Sequence, residues 1–358
     1  MRPLQVGPIG SGLTPSFFKG SEFETQIRLQ QMTGEEKTSS EKLESQSLQR
    51  TLAVGLGITI NEGAAFVLQS SLSQWEYNAS TRAEDHTFKQ TSSSASLGAG
   101  PVVKIKNISL KGTVFFLQTG ESPFRYRSPE GEKEWTVEEA TVPYFLVQGG
   151  YQGDNTQVVL GVQVYNGAMV DVTASDEVGE EQQFETLVGV PGQLQLDLTY
   201  EHTPKVQFAA SATYFTTAQS SPRTNEWNLT YTGTGNSLRR DTTGSRRDGN
   251  HLRFDLGGIY YPEPWVSFLG AMHVTTSAAD SEDNVRLWAQ NLGRKRIDIG
   301  AQYYMTVAKV YFNAGYNLPE QSSYTNPSQE EADWIPSGEA VEVALYGTEL
   351  EVGVSTFF

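Results

Sequence analysis

The segment Gln193-Leu194-Gln195-Leu196-Asp197-Leu198-Thr199-Tyr200 alternates without a fault: every even position is apolar and every odd one can bond to water. Successive side chains of a strand point to opposite faces, so this spacing predicts a strand with one face in oil and the other in water. The same two-residue period runs through Val158, Leu160, Val162 and Val164, set against Gly161, Gln163 and Tyr165. It recurs in Leu252, Phe254 and Leu256 against Arg253, Asp255 and Gly257, and in Ile297, Ile299, Ala301 and Tyr303 against Arg296, Asp298, Gly300 and Gln302. Amphipathic helix patterns are hard to find. The fold class is all-β, and the polar face carries full charges.

The connections alternate in length. Short turns fall near Asn61-Glu62-Gly63, Lys106-Asn107, Gln152-Gly153-Asp154, Thr203-Pro204, Pro262-Glu263-Pro264 and Thr306. Between them lie long polar stretches at 33–47, 77–89, 120–136, 166–183, 218–249, 277–284 and 318–340. Six short and seven long connections require fourteen strands with both ends on the short-turn side. The expected spans are 22–32, 48–60, 64–76, 91–105, 108–119, 137–150, 156–165, 184–201, 205–217, 250–261, 265–276, 285–304, 308–317 and 341–358. An even number of strands with short turns on one rim and long loops on the other predicts a transmembrane antiparallel β-barrel over 22–358. Residues 1–21 are left as an N-terminal periplasmic segment or plug. Aromatics near strand ends, at Trp75, Tyr77, Tyr260, Tyr261, Trp265, Tyr303, Tyr304, Phe357 and Phe358, are expected to form interfacial girdles.

Composition excludes the competing classes. Length alone suggests two domains for 358 residues, but large barrels run longer as one unit. The absence of cysteine removes disulfide scaffolds and Cys-based metal sites. No run reaches the ~18–20 apolar residues of a spanning helix. With 42 acidic and 26 basic residues, the net charge of -16 argues against nucleic acid, whose phosphates want clustered Lys and Arg. Met1-Arg2-Pro3 opens without an apolar signal core. A barrel of this kind must cross the inner membrane, so the chain reads as a mature or recombinant form in which Met1 is a start codon. The expected location is the outer membrane.

The terminal residues Glu351-Val352-Gly353-Val354-Ser355-Thr356-Phe357-Phe358 resemble the last strand of Gram-negative outer-membrane proteins. The resemblance lies in a polar residue, a glycine and a final aromatic at Glu351, Gly353 and Phe358, and it implies recognition by the barrel assembly machinery. Thr356 departs from it, standing where that signal prefers an apolar residue. With Phe358 facing lipid, Val354, Val352 and Leu350 point outward and Ser355, Gly353, Glu351 and Glu349 inward.

In such a barrel the lumen is where polar side chains belong at membrane depth, so inward charges are the candidate functional residues. Arg253, Arg286, Arg294, Arg296 and Lys309 are expected to form a basic wall. Glu349, Glu351, Glu22 and Glu24, partly relieved by Arg28, form an acidic one beside it. Opposed walls would set a transverse field and ion preference; alternatively they are interior salt bridges of a plugged barrel. The longest connection carries Arg239, Arg240, Arg246 and Arg247, suited to an anionic solute or to lipopolysaccharide phosphates, or simply a solvated loop. Acidic runs at 130–134 and 176–181 match no calcium-loop spacing. No cofactor or resident metal is expected.

A catalytic site finds little support. His251 and Asp255 share a face four residues apart, which is ~13 Å along a strand. Catalytic motifs of the Gly-x-Ser-x-Gly and His-Glu-x-x-His kinds are absent from the sequence.

Fourteen strands behind an irregular start rich in glycine and proline, Met1 to Gly20 with Phe17-Phe18, resemble the long-chain fatty-acid transporter family. The resemblance is architectural and implies uptake of hydrophobic molecules through a lumen closed by an N-terminal hatch. That family's Asn-Pro-Ala element is missing, the segment is shorter, and the expected lumen set mixes charges with Phe115, Leu117, Phe215, Leu269 and Tyr311. Three functions follow. The first is a diffusion channel for small solutes through a charged lumen, the second is uptake of hydrophobic molecules, and the third is a non-conducting structural or surface-interaction barrel. The expected partners are outer-membrane lipid, lipopolysaccharide, the assembly machinery and a small solute, with a monomer as the assembly.

Overall fold

A computed structural model describes residues 21–37, 42–81, 87–129, 131–164, 166–176, 181–190, 192–219, 227–232, 235–240, 247–278, 295–325 and 340–357. The chain forms one closed antiparallel barrel. Its strands are β1 (Glu22–Lys37), β2 (Lys42–Asn61), β3 (Ala64–Thr81), β4 (Thr87–Ile105), β5 (Ile108–Thr119), β6 (Ser122–Ser128), β7 (Gly131–Val137) and β8 (Ala140–Gln152). They continue as β9 (Thr156–Gln163), β10 (Asn166–Asp176), β11 (Glu181–Val190), β12 (Gly192–Thr203) and β13 (Val206–Gln219). A separate hairpin, β14 (Trp227–Thr232) and β15 (Gly235–Arg240), precedes β16 (Arg247–Glu263) and β17 (Val266–Ala278). The last three are β18 (Lys295–Tyr304), β19 (Ala308–Thr325) and β20 (Ala340–Phe357).

Each of the pairs β5/β6, β7/β8, β9/β10 and β11/β12 is one stave interrupted by a break of one or two residues. The 18-stranded sheet is therefore fourteen staves. β20 closes the barrel on β1 in register from Glu22↔Phe357 to Lys37↔Glu342.

The outer surface shows why these strands form. Leu194, Leu196, Leu198 and Tyr200 of β12 point outward and are exposed, while Gln195 and Thr199 are buried on the other face. The outward apolar row of β2 runs from Leu52 to Ile60, eight steps or about 26 Å along the strand, matching the ~25 Å apolar band of such barrels. In water each exposed leucine would forgo roughly 1.5–3 kcal/mol of burial. Lipid removes that cost.

Three stretches expected as loops are largely strand. The 33–47 connection narrows to 38–41, and 120–136 and 166–183 become the hairpins β6–β7 and β10–β11. These extensions stand above the apolar band. They pair by backbone bonds along β6–β7 and β10–β11, beyond the band where lipid sets a strict alternation. Of the expected 285–304 strand, 295–304 is described as β18. Trp75, Tyr77, Tyr261 and Tyr304 share the inward parity of their strands and are no part of an outer girdle. Tyr260, Trp265 and Tyr303 are exposed on the outside, with Trp265 edge-on to Tyr303 at 5.6 Å.

One stretch of wall departs from the regular ladder. β8 pairs β9 up to Leu146↔Gln163, and β7 pairs β10 only from Val137↔Val172. Residues 138–145 and 164–171 thus face each other without ladder pairing. The edges hold by Glu138 N to Asp171 O (3.0 Å) and Val164 N to Phe145 O (3.1 Å). Pro143 has no N–H to give, and its carbonyl accepts instead from the Asn166 side chain.

Candidate functional site

The lumen has two unlike faces. On the arc from β16 to β1, Arg253 Nε donates to Asp255 Oδ1 (2.7 Å), which also lies 2.6 Å from His273 Nδ1. Arg253 Nη2 is 2.9 Å from the same His273 nitrogen, and His273 Nε2 is 3.0 Å from Asp298 Oδ2. Arg296 donates to Asp298 and, through Nη1, to Glu349 Oε2 at 2.5 Å. Arg28 completes the chain on Glu349 Oε1, across the seam where β1 meets β20.

For Arg296 on β18 to reach β20 it must cross β19, and it does so at Gly315. A Cβ there would sit 2.6 Å from Arg296 Nε. One stave group before Arg253, Asp197 on β12 accepts from Ser211 Oγ (2.6 Å) and Gln195 Nε2 (2.9 Å).

The structure therefore replaces opposed walls by an interleaved one. Arg253 and Arg296 each have an aspartate two residues along on the same face, and the acidic wall adjoins the basic one. The pairs run around the wall, not across the lumen. Glu24 is buried, Glu22 half-buried, and Lys309 Nζ lies 5.4 Å from the Tyr311 ring centre. Glu351 faces Arg28 and Asn313 in register, and Gly353 makes room for the Tyr311 ring. Arg286, Arg294, Arg246 and Phe358 lie outside the described residues, as does the 1–20 segment. Arg239 and Arg240 fall in β15 and Arg247 begins β16, with side chains outside the described set. His273 lies between two carboxylates, Asp255 and Asp298.

The arc from β3 to β8 is built otherwise. Phe115 stacks on Tyr144 at 4.8 Å and 6°, and its ring occupies the space a side chain at Gly98 would need. Val142 and Leu146 continue this surface, and Ala65, Val67 and Val102 cluster toward the short-turn end. Gln69, Lys111 and Gln148 interrupt it. Toward the long-loop rim Trp75 stacks on Tyr77 at 5.8 Å, and Ser71 bonds Ser96 at 2.7 Å. Sequence reasoning missed Val142, Tyr144 and Leu146; their alternation in 140–148 was the available signal.

Lumen-facing side chains pack closely against the wall at several depths, with Val102, Ser267 and Ser355 near the short turns and Val142 and Thr213 further from them, all buried.

A closed fourteen-stranded barrel with an apolar outer band and a partly charged lumen has the architecture of an outer-membrane β-barrel protein. Its sequence matches no known family model and no curated protein. Among solved structures it is similar to a Pseudomonas aeruginosa FadL homologue, with TM-score 0.70 and 9% identity over 95% of this chain and 91% of that one. It is also similar to the Pseudomonas putida toluene transporter TodX, with TM-score 0.63 and 10% identity over 95% and 90%. The Ralstonia pickettii toluene transporter TbuX gives TM-score 0.60 and 8% identity over 95% and 90%. At these identities the shared property is the fold. The chain has the FadL-type barrel of the Gram-negative outer membrane.

Proposed function

We propose that the barrel takes up small hydrophobic molecules. The observation that carries this reading is the apolar arc Phe115, Tyr144, Val142 and Leu146 on the lumen face of the wall. A water-filled diffusion channel needs polar walls and an open path. Similar barrels described as toluene transporters and a monoaromatic hydrocarbon channel support the same reading. Trp75 and Tyr77 offer a first aromatic contact at the outer mouth. Tyr144 borders the unpaired stretch of wall, which gives an apolar passenger a way out beside the ring that holds it.

The structural-barrel reading draws on the ion-paired chain. Those pairs, however, stiffen one side of the wall and leave the apolar arc untouched. Uptake of radiolabelled toluene by cells with and without the protein tests the proposal, beside sugar-driven swelling of proteoliposomes. The expected result is faster toluene uptake and no swelling. Swelling without toluene uptake would restore the diffusion channel.

A further inference from the structure

The polar face opposite the apolar arc has a definite chemical sense. Every described lumen-facing guanidinium is already engaged: Arg28 by Glu349, Arg296 by Asp298 and Glu349, Arg253 by Asp255. Acceptors, in contrast, are left over. Asp255 Oδ1 takes the contacts of Arg253 and His273, while Oδ2 is buried with no partner on a side chain that is 0% exposed. Asn313 Oδ1 is likewise buried and unpartnered further along the same arc, and Thr213 Oγ1 lies beside Ser211 on the neighbouring strand.

In register, Asp255 faces Ser211 and Ser211 faces Asp197. The two carboxylates are thus two strand spacings apart on one face, about 10 Å between backbones. A buried carboxylate oxygen without a donor is costly, and a charged donor is its strongest remedy. A carboxylate ligand would meet like charge there and find no free guanidinium.

We propose that the Asp255–Asp197 edge receives the protonated amine of an otherwise apolar passenger. The preferred cargo is then a hydrophobic amine, not a fatty-acid anion. This rests on the hydrophobic-uptake reading above: the acceptor edge is a polar stop for the cationic end of a passenger whose hydrocarbon part is what the lumen admits.

Three matched probes separate the terms: 2-phenylethylamine, phenylacetate and ethylbenzene, with binding to the full chain in nanodiscs measured by equilibrium dialysis at neutral pH. The amine is expected to bind about tenfold more tightly than phenylacetate, the scale of one charge-assisted bond. Asp255→Asn should bring the two within a few-fold of each other. Because that change also loosens Arg253 and His273, Asp197→Asn, outside the ion chain, is the second variant; it should reduce the preference while the barrel keeps its heat-modifiable gel shift. Equal binding of amine and phenylacetate by the native protein, or a preference untouched in both variants, overturns the proposal and leaves the edge to water. Ethylbenzene binding without amine preference sinks this inference alone. Failure to bind either the amine or ethylbenzene sinks the uptake reading with it.

Discussion

On the arc from β16 to β1, Arg253, Arg296 and Arg28 each touch a carboxylate, and the ladder is continuous from strand to strand apart from bulges near the ends of β16 and β19. On the arc from β3 to β8 the lumen side chains meet through rings and methyl groups, and the wall beside it loses its ladder between 138–145 and 164–171. Identical backbone architecture thus supports two mechanical regimes. Directional bonds fix side chains and strands together where charges are buried, because an unpaired charge there is expensive. Apolar contacts are non-directional and tolerate a missing rung. Ion-paired rigidity and apolar contact fall on opposite sides of one barrel.

The sharpest way to break this division is to unpair the charged side. Glu349 is buried and holds Arg28 and Arg296 together across the closing seam. Glu349→Ala removes the carboxylate paired with Arg28 and leaves Arg296 with Asp298 alone, and breaking a buried pair costs roughly 3–5 kcal/mol. The expected result is a lower urea midpoint for the barrel in detergent micelles. An unchanged midpoint would mean that lumen water already screens these charges.

Closing the loose side comes next. The chain has no cysteine, so Val142→Cys with Gly167→Cys places two unique thiols across the unpaired stretch. Bridging them with a short bis-thiosulfonate should drop toluene uptake toward that of cells lacking the protein, with recovery on reduction. Undiminished uptake would move the exit elsewhere in the barrel.

How much of this was legible in the sequence follows from which solvent each residue meets. Segments between oil and water, such as 193–200 and 252–256, alternate and were readable to within a few residues, and with them the turns and the strand number. The extensions stand above the apolar band, where lipid no longer sets a strict period, so β6, β10 and nearly all of β7 read as connections and β11 was expected only from residue 184. The inward charges of β16, β18 and β20 were visible as residues, but their pairing was not. Arg253 and Arg296 read as a basic wall only while Asp255 and Asp298, two steps along on the same face, went uncounted. The ladder gap depends on Pro143 lying opposite a particular stretch of β10, a register fact that a single strand does not contain.

The smallest effect compares two glycines. At Gly353, which faces the lumen, an added Cβ would fall within the ring of buried Tyr311, whereas at Gly270, on the lipid side of β17, it meets nothing within 4 Å. Gly353→Ala must displace a ring wedged among charged neighbours, so overpacking predicts a loss of about 1–3 kcal/mol. Gly270→Ala adds no clash and restricts the unfolded chain, which predicts a gain of ~0.4–1 kcal/mol. Urea titration of both variants in the same micelles gives the comparison its sign. If the two shift together, lumen and lipid faces pack alike at these positions. If only Gly353→Ala falls, the charged arc owes part of its rigidity to a ring seated on bare backbone, the same device by which Phe115 sits over Gly98 on the apolar side.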